Sequence, residues 1–358
     1  MSSLKFLVHK NRKLDASINF DKISILFLSQ NRVGDTLITT PIFSALKRVY
    51  PNCTIDILLS RRNAETLENN PHIRLRYIIK QKPFDLVNII FRVRKRRYDF
   101  VVDLIPSKSA TSTAICLLCK ASYTVGLIRE NDFAYDIKVA PLIRSDSGGV
   151  GIRMVENVAQ VLRPFGITPS LDTLKTEYYP NADSFKFAQQ VVDKLVVTSG
   201  RNGKSLTVGI NISASKQAKF WGVENFIGMA KSIQKIYPSA SIIILYSNAY
   251  KLEAEQISKQ GNVALCDETK SLSEFAAIIS KLDLLITPDS ASVHLADIYH
   301  VPLVILTSEP HNQQYWYPIL SEFETLHAPA HQPISHISLS EVEAAFVKLA
   351  RRVDFDLG

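Results

Sequence analysis

From residue 23 onward the chain alternates between short, nearly continuous apolar runs and longer stretches of helical period. The runs in the first half are ISILFLS (23–29), CTIDILLS (53–60), RLRYIIK (74–80), FVVDLIP (100–106) and TVGL (124–127). Runs rich in Ile, Val and Leu that do not alternate with polar residues imply strands buried on both faces, and helical connectors between them imply a parallel sheet covered on both sides. The alternation pauses over GITPSLDTLKTEYYPNAD (166–183), a stretch of turn-forming residues. It then resumes with LTVGINIS (206–213), SIIILYS (241–247), VALC (263–266), DLLIT (283–287) and VPLVILT (301–307). At 358 residues and 46% hydrophobic content there is material for two cores. The expectation is α/β: two doubly wound, Rossmann-like domains, 1–170 and 171–340, with the carboxyl ends of their sheets facing a cleft. Residues 341–358, a last helix and tail, are a candidate to pack back on the first domain.

Thr40 and Pro41 read as N-cap and first residue of a helix, since proline is tolerated in the first turn. Arg153–Phe165 reads as one helix that closes the first half. No uninterrupted apolar run is long enough to span a bilayer, and MSSLKFLVHKNRKLD becomes charged before a signal core can form. The expected location is therefore the cytoplasm. Cys116 and Cys119 form a C-x-x-C inside TSTAICLLCKA without a second Cys or His pair nearby, so buried helical thiols are favoured over a metal site. No metal and no cofactor are expected.

Charge is unevenly spread. Residues 1–175 hold 27 Lys/Arg against 15 Asp/Glu, and the remainder 15 against 19. A basic first half suggests an anionic partner. Its densest cluster, FRVRKRRY (91–98), carries no interleaved aromatic platform or nucleic-acid motif. A phosphorylated lipid or the headgroups of the inner leaflet fit it equally well, as does a plain solvated helix face. SGRNGKS (199–205) imitates a phosphate loop, but Thr198 stands where glycine is needed and the strand–loop–helix order is reversed. GVG (149–151) lacks a third glycine, and the D-x-D at Asp354–Asp356 lies in the tail.

Three stretches at strand ends carry the chemistry. The first is NRVGD (31–35), which delivers Asp35 between a strand and a helix; the plainer account of Asp35 is a helix cap. The second is NISASKQAKFW (211–221), with Lys216 and Lys219. The third is TPDSASVH (287–294), where small residues at a helix start let backbone N–H groups approach an anion. Asp289, Ser290 or Ser292 could equally be caps there.

Together these stretches resemble glycosyltransferase family 9, the ADP-heptose:lipopolysaccharide heptosyltransferases. The resemblance is carried by RVGDTLITTPIFSALKRVYPNCTIDILLS (32–60) with NNP (69–71), by AKFWGVENFIGMA (218–230) and by LDLLITPDSASVHLADIYHVPLVIL (282–306). It implies a GT-B fold, inversion at the anomeric carbon, and transfer of heptose from ADP-heptose to the inner core of lipopolysaccharide without a metal. It implies that Asp35 is the base and Lys219 the diphosphate ligand, with Ser213, Asp289, Ser290, Ala291 and His294 on the donor side and Arg32 and Gly34 on the acceptor side. The implied partners are a nucleotide-sugar donor and a phosphorylated, lipid-linked acceptor at the inner face of the cytoplasmic membrane, with no nucleic acid. Ala291 stands where the family usually has glycine, NISAS replaces a Pro-Gly, LTSEPHNQQYW (306–316) replaces a Gly-Pro loop, and Glu253 and Glu255 are out of register for a ribose contact. All these departures lie on the donor side. They leave open a different nucleotide sugar on the same fold, or a binding protein that has lost turnover.

Overall fold

Strand β1 (Ser24–Ser29) is buried from Ile25 to its end, as the apolar run requires of a central strand. In the computed structural model, which describes residues 12–80, 83–105, 107–129, 132–142, 152–199, 206–308 and 316–353, the chain divides into two units, Met1–Tyr178 and Tyr179–Gly358.

In the first unit β1 is followed by the short helix α1 (Val33–Leu37), α2 (Thr40–Val49), β2 (Thr54–Ser60), β3 (Leu75–Ile79), α3 (Pro83–Arg96), β4 (Phe100–Asp103), α4 (Ala110–Leu118), β5 (Tyr123–Leu127), β6 (Ile137–Val139) and α5 (Met154–Ala159). The six strands are parallel in the order β3-β2-β1-β4-β5-β6. That is a doubly wound sheet, with its switch point between β1 and β4. Three details differ from the sequence reading. Thr40 is already helical, because α1 runs almost directly into α2. The hydroxyls of Thr39 and Thr40 therefore donate backward to the Thr36 and Leu37 carbonyls, both at 2.7 Å, and cap no forward N–H. The helix expected over 153–165 is α only to Ala159; Gln160–Phe165, containing Pro164, is a 3-10 turn. Strand β6 was not foreseen.

The second unit contains α6 (Ala182–Ser199), β7 (Thr207–Asn211), α7 (Val223–Ile236), β8 (Ser241–Leu245), α8 (Lys251–Gly261), β9 (Ala264–Leu265), α9 (Leu272–Ile279), β10 (Leu284–Pro288), α10 (Ala291–Ile298), β11 (Leu303–Thr307), β12 (Phe323–His327) and α11 (Leu339–Arg352). Its sheet repeats the topology of the first, all parallel, in the order β12-β11-β10-β7-β8-β9. Both units are thus Rossmann-like, as in the GT-B fold. Helix α11 lies on α7, β11 and β12 and places Val342, Phe346 and Leu349 in the core of this unit. The terminal helix, a candidate to pack back on the first domain, has its apolar face in the core of its own unit. The reason is its apolar stripe, which repeats at three- and four-residue spacing and matches the open face of α7.

Cys116 and Cys119 are buried on α4 and at its end, and burial pushes both thiols up, Cys119 to about 11. They are packing residues. Among the described residues no helix is long and apolar enough to cross a membrane. Residues 200–205, the GVG at 149–151, 309–315 of the replaced loop, and the D-x-D lie outside the described residues.

Candidate active site

Each unit gathers its candidate residues at the carboxyl edge of its own sheet. In the first unit the chain leaves β1 at Ser29 and enters α1 within four residues. Arg32 is exposed and occupies the N-cap position, Gly34 is in the first turn, and Asp35 is the third helical residue. The Asp35 carboxylate accepts a hydrogen bond from the Arg32 backbone N–H at 3.2 Å. Asp35 therefore does cap a helix, as the plainer account held. Capping uses one oxygen, however, and the side chain stays only half-buried, so the carboxylate still reaches the surface of the loop.

The loop is held by a residue that sequence reasoning passed over. Asn63 follows β2 and is fully buried. Its amide donates to the Ser29 carbonyl and to Thr36 Oγ1, both at 2.7 Å. Its Oδ1 accepts from the N–H and the hydroxyl of Ser60, both at 2.8 Å. One side chain thus ties the ends of β1 and β2 to the residue next to Asp35, with all four of its bonding positions used. Asn63→Ala would leave buried polar groups unpaired at about 1–3 kcal/mol each. The expected result is a lower melting temperature, read by calorimetry.

A second buried polar group holds the same edge. Asp103, the last residue of β4, accepts from Arg129 at 2.6 Å, Tyr135 at 2.8 Å and the Ile105 N–H at 3.0 Å. Burial pushes its carboxyl up, and Arg129 opposes that shift. Arg129 also donates to the Ile105 and Ser107 carbonyls, so the loops after β4 and β5 are fastened together.

In the second unit the counterpart of Asn63 is Asn211, the buried last residue of β7. Its amide donates to Thr287 Oγ1 at 3.0 Å and Ser292 Oγ at 3.2 Å, and its Oδ1 accepts from the Ser213 N–H at 3.1 Å. Ser290, at the N-cap position of α10, bonds Ser292 through its hydroxyl at 2.7 Å. Ser213 Oγ accepts from the Ser247 N–H, joining the ends of β7 and β8. This buried hydroxyl network sets the first turn of α10, whose backbone N–H groups are open at their N-terminal side as in any helix. Ala291 opens that helix and is not among the described residues with positive φ. The glycine it replaces is therefore not needed for backbone conformation, and its methyl group is the whole departure.

Lys219 ends a 3-10 turn (Gln217–Lys219), and its ammonium pairs with the Asp289 carboxylate at 2.7 Å. Lys216 precedes that turn and is exposed. His294, one turn into α10, packs edge-on to Trp316 at 6.3 Å between ring centres. Asp289 and Trp316 also line a pocket with Tyr317 and His327, which bond each other at 2.8 Å. Trp221 is fully buried, meets Phe226 edge-on, and donates through Nε1 to the Ile337 carbonyl at 2.8 Å. Two residues after Lys219, it anchors the turn that presents the lysine. Trp221→Ala should cost about 3–5 kcal/mol of stability, while Trp221→Phe keeps the packing but leaves a carbonyl unpaired, for about 1–3 kcal/mol. Denaturant unfolding of the two variants checks both values.

The sequence model of glycosyltransferase family 9 (heptosyltransferase) matches residues 87–335. The lipopolysaccharide heptosyltransferase 3 of Escherichia coli K12 is 27% identical over 307 residues, which span 80% of this chain and 82% of that protein. Among solved structures, a family 9 glycosyltransferase from Veillonella parvula superposes with a TM-score of 0.78 at 19% identity, covering 94% of this chain and 99% of the other. The E. coli heptosyltransferase WaaC with ADP superposes with a TM-score of 0.68 at 14% identity, covering 92% and 99%.

Proposed function

The chain belongs to glycosyltransferase family 9, the heptosyltransferase family, and from that premise we propose that it transfers heptose from ADP-heptose to the inner core of lipopolysaccharide or lipooligosaccharide, with inversion and without a metal. Asp35 takes the proton of the acceptor hydroxyl as its oxygen attacks the anomeric carbon. The bond from that carbon to the donor's phosphate oxygen breaks, and ADP leaves with the electron pair. Lys219 and the N–H groups opening α10 hold the charge that grows on the diphosphate. Ser213, Ser290, Ala291 and His294 line the donor side, and Arg32 and Gly34 border the acceptor side. The acceptor is lipid-linked and phosphorylated, which gives the basic first unit its counterpart at the inner face of the cytoplasmic membrane.

The observation that carries this reading is the paired Lys219 and Asp289 at the start of α10, a cation already positioned beside a helix N-terminus. It is supported by relatives that are lipopolysaccharide heptosyltransferases and by the similar structure that holds ADP. Mass spectrometry of core oligosaccharide from a strain lacking the protein tests it: a missing heptose is expected, and an intact core overturns it. Ala291, in place of the family's usual glycine, favours a second reading, the same chemistry with another nucleotide sugar. Thermal shifts with a panel of ADP- and UDP-sugars separate the two.

A further inference from the structure

Helix α3 presents two different faces. Leu86, Ile89, Ile90 and Val93 turn inward against the core of the first unit. On the outward face Phe84, Val87 and Phe91 are 84%, 66% and 69% exposed. At about 100° per residue these three fall within about 60° of one another, a single stripe about two turns long. Arg94 borders the stripe on one side and Lys95 on the other, both exposed; Arg92 lies further round with its guanidinium over the Tyr77 ring, and Arg96 and Arg97 extend the charge past the helix end. A solvated helix face does not carry two exposed phenylalanines in line with a valine.

We propose that α3 is a membrane-surface docking element, inserting Phe84, Val87 and Phe91 among the headgroups of an anionic bilayer while the flanking arginines and lysine pair with lipid phosphates. An apolar stripe with basic margins and no spanning length is the pattern of a helix lying in the interface plane. Charge favours a bilayer over a second copy of this chain, because two copies of the face would bring five like charges from each α3 segment (92–97) together. The topology adds direction. Helix α3 begins just beyond the carboxyl end of β3, and β3 lies in the same parallel sheet as β1. The Phe84 end is therefore beside the sheet edge that carries Asp35, so docking along α3 brings that edge close to the lipid surface. The inference deepens the proposed reading, since a lipid-held acceptor is what makes such docking useful.

Co-sedimentation of the full chain with vesicles tests it. The protein is expected to bind vesicles of phosphatidylcholine with phosphatidylglycerol, and far less those of phosphatidylcholine alone. Replacing the stripe (Phe84→Ser, Val87→Ser and Phe91→Ser together) should lower partitioning at least about 10-fold. Arg94→Gln with Lys95→Gln should lower it about 10-fold and flatten its salt dependence. All substituted side chains are exposed, so the melting temperature should not move. Unchanged partitioning in the triple-serine variant overturns the proposal. So does a concentration-dependent dimer abolished by the same variant, or RNA binding in place of vesicle binding. The vesicles contain no acceptor and no donor, whereas transfer to a delipidated core acceptor is assayed separately. Binding without transfer would fail the proposed reaction alone, and transfer without binding would fail the docking proposal alone.

Discussion

Asp35→Asn is expected to remove transfer while leaving the protein folded and able to bind its donor. Asparagine is the informative replacement because its Oδ1 can accept the same hydrogen bond from the Arg32 N–H that the carboxylate accepts at 3.2 Å. The cap of α1 is kept, the volume is unchanged, and the buried bonds from Asn63 to Ser29 and Thr36 are untouched. Only the proton-accepting charge is lost. Loss of a positioned general base typically costs about 10²–10⁴ in rate, and that is the fall expected in kcat, with donor affinity by isothermal titration close to that of the parent. Asp35→Ala is the control for the capping role. It should add about 0.5–1.5 kcal/mol of destabilisation, the net worth of one such hydrogen bond, which Asp35→Asn should not show. Turnover in Asp35→Asn within a few-fold of the parent would mean that Asp35 only caps, and the proposed base would have to be abandoned.

The second large effect is expected at Lys219. Lys219→Met keeps the apolar stem but removes the ammonium, and a lost preorganised charge partner costs about 10²–10³ in rate. The pair with Asp289 sharpens the expectation. Without the lysine, the Asp289 carboxylate is left facing the position assigned to the donor diphosphate and repels it. Donor affinity should therefore fall more in Lys219→Met than in Lys219→Met combined with Asp289→Asn, where the repelling charge is also removed. A positive coupling of this kind in a double-mutant cycle, read as ADP affinity, is the predicted outcome. Additive losses would instead place Asp289 on the sugar, contributing to binding by itself.

The two sheets were legible because their central strands are buried on both faces, and such strands must be written as unbroken apolar runs. The two strands not foreseen, β6 and β12, are the last strand of each sheet. IKV is too short to register. FETLH is only half-buried at every position, so it carries no hydrophobic signature. An edge strand is recruited by a neighbour's free N–H and C=O groups, which every sequence possesses equally. The helix α3 was readable as a helix with a basic end, but its outward phenylalanines were not readable as exposed. An amphipathic period shows that two faces exist, and only packing against β3 and α4 decides which one is buried.

The candidate site divides along the same line. Asp35, the loop bearing Lys216 and Lys219, and the TPDSASVH turn stood out as candidates because each follows the end of an apolar strand, where a doubly wound sheet exposes its chemistry, and the choice of Lys219 came from the family resemblance. Asn211 carried the same signal, an amide at the end of an apolar run, whereas Asn63 stands behind two arginines, and the role of both depends on partners 27 to 81 residues away. The grouping of Asp103 with Arg129 and Tyr135 joins separate strands and loops in the same way. By itself the sequence determined the order of the buried strands and their helices, the division into two sheets and the residues offered at their edges, because periodicity and turn chemistry are local properties of the chain. The tertiary structure alone decided what holds those residues in place, where the last helix packs and which face of α3 is left uncovered. Each of these is a contact between segments far apart in sequence, and its free energy exists only once the chain has closed the loop between them.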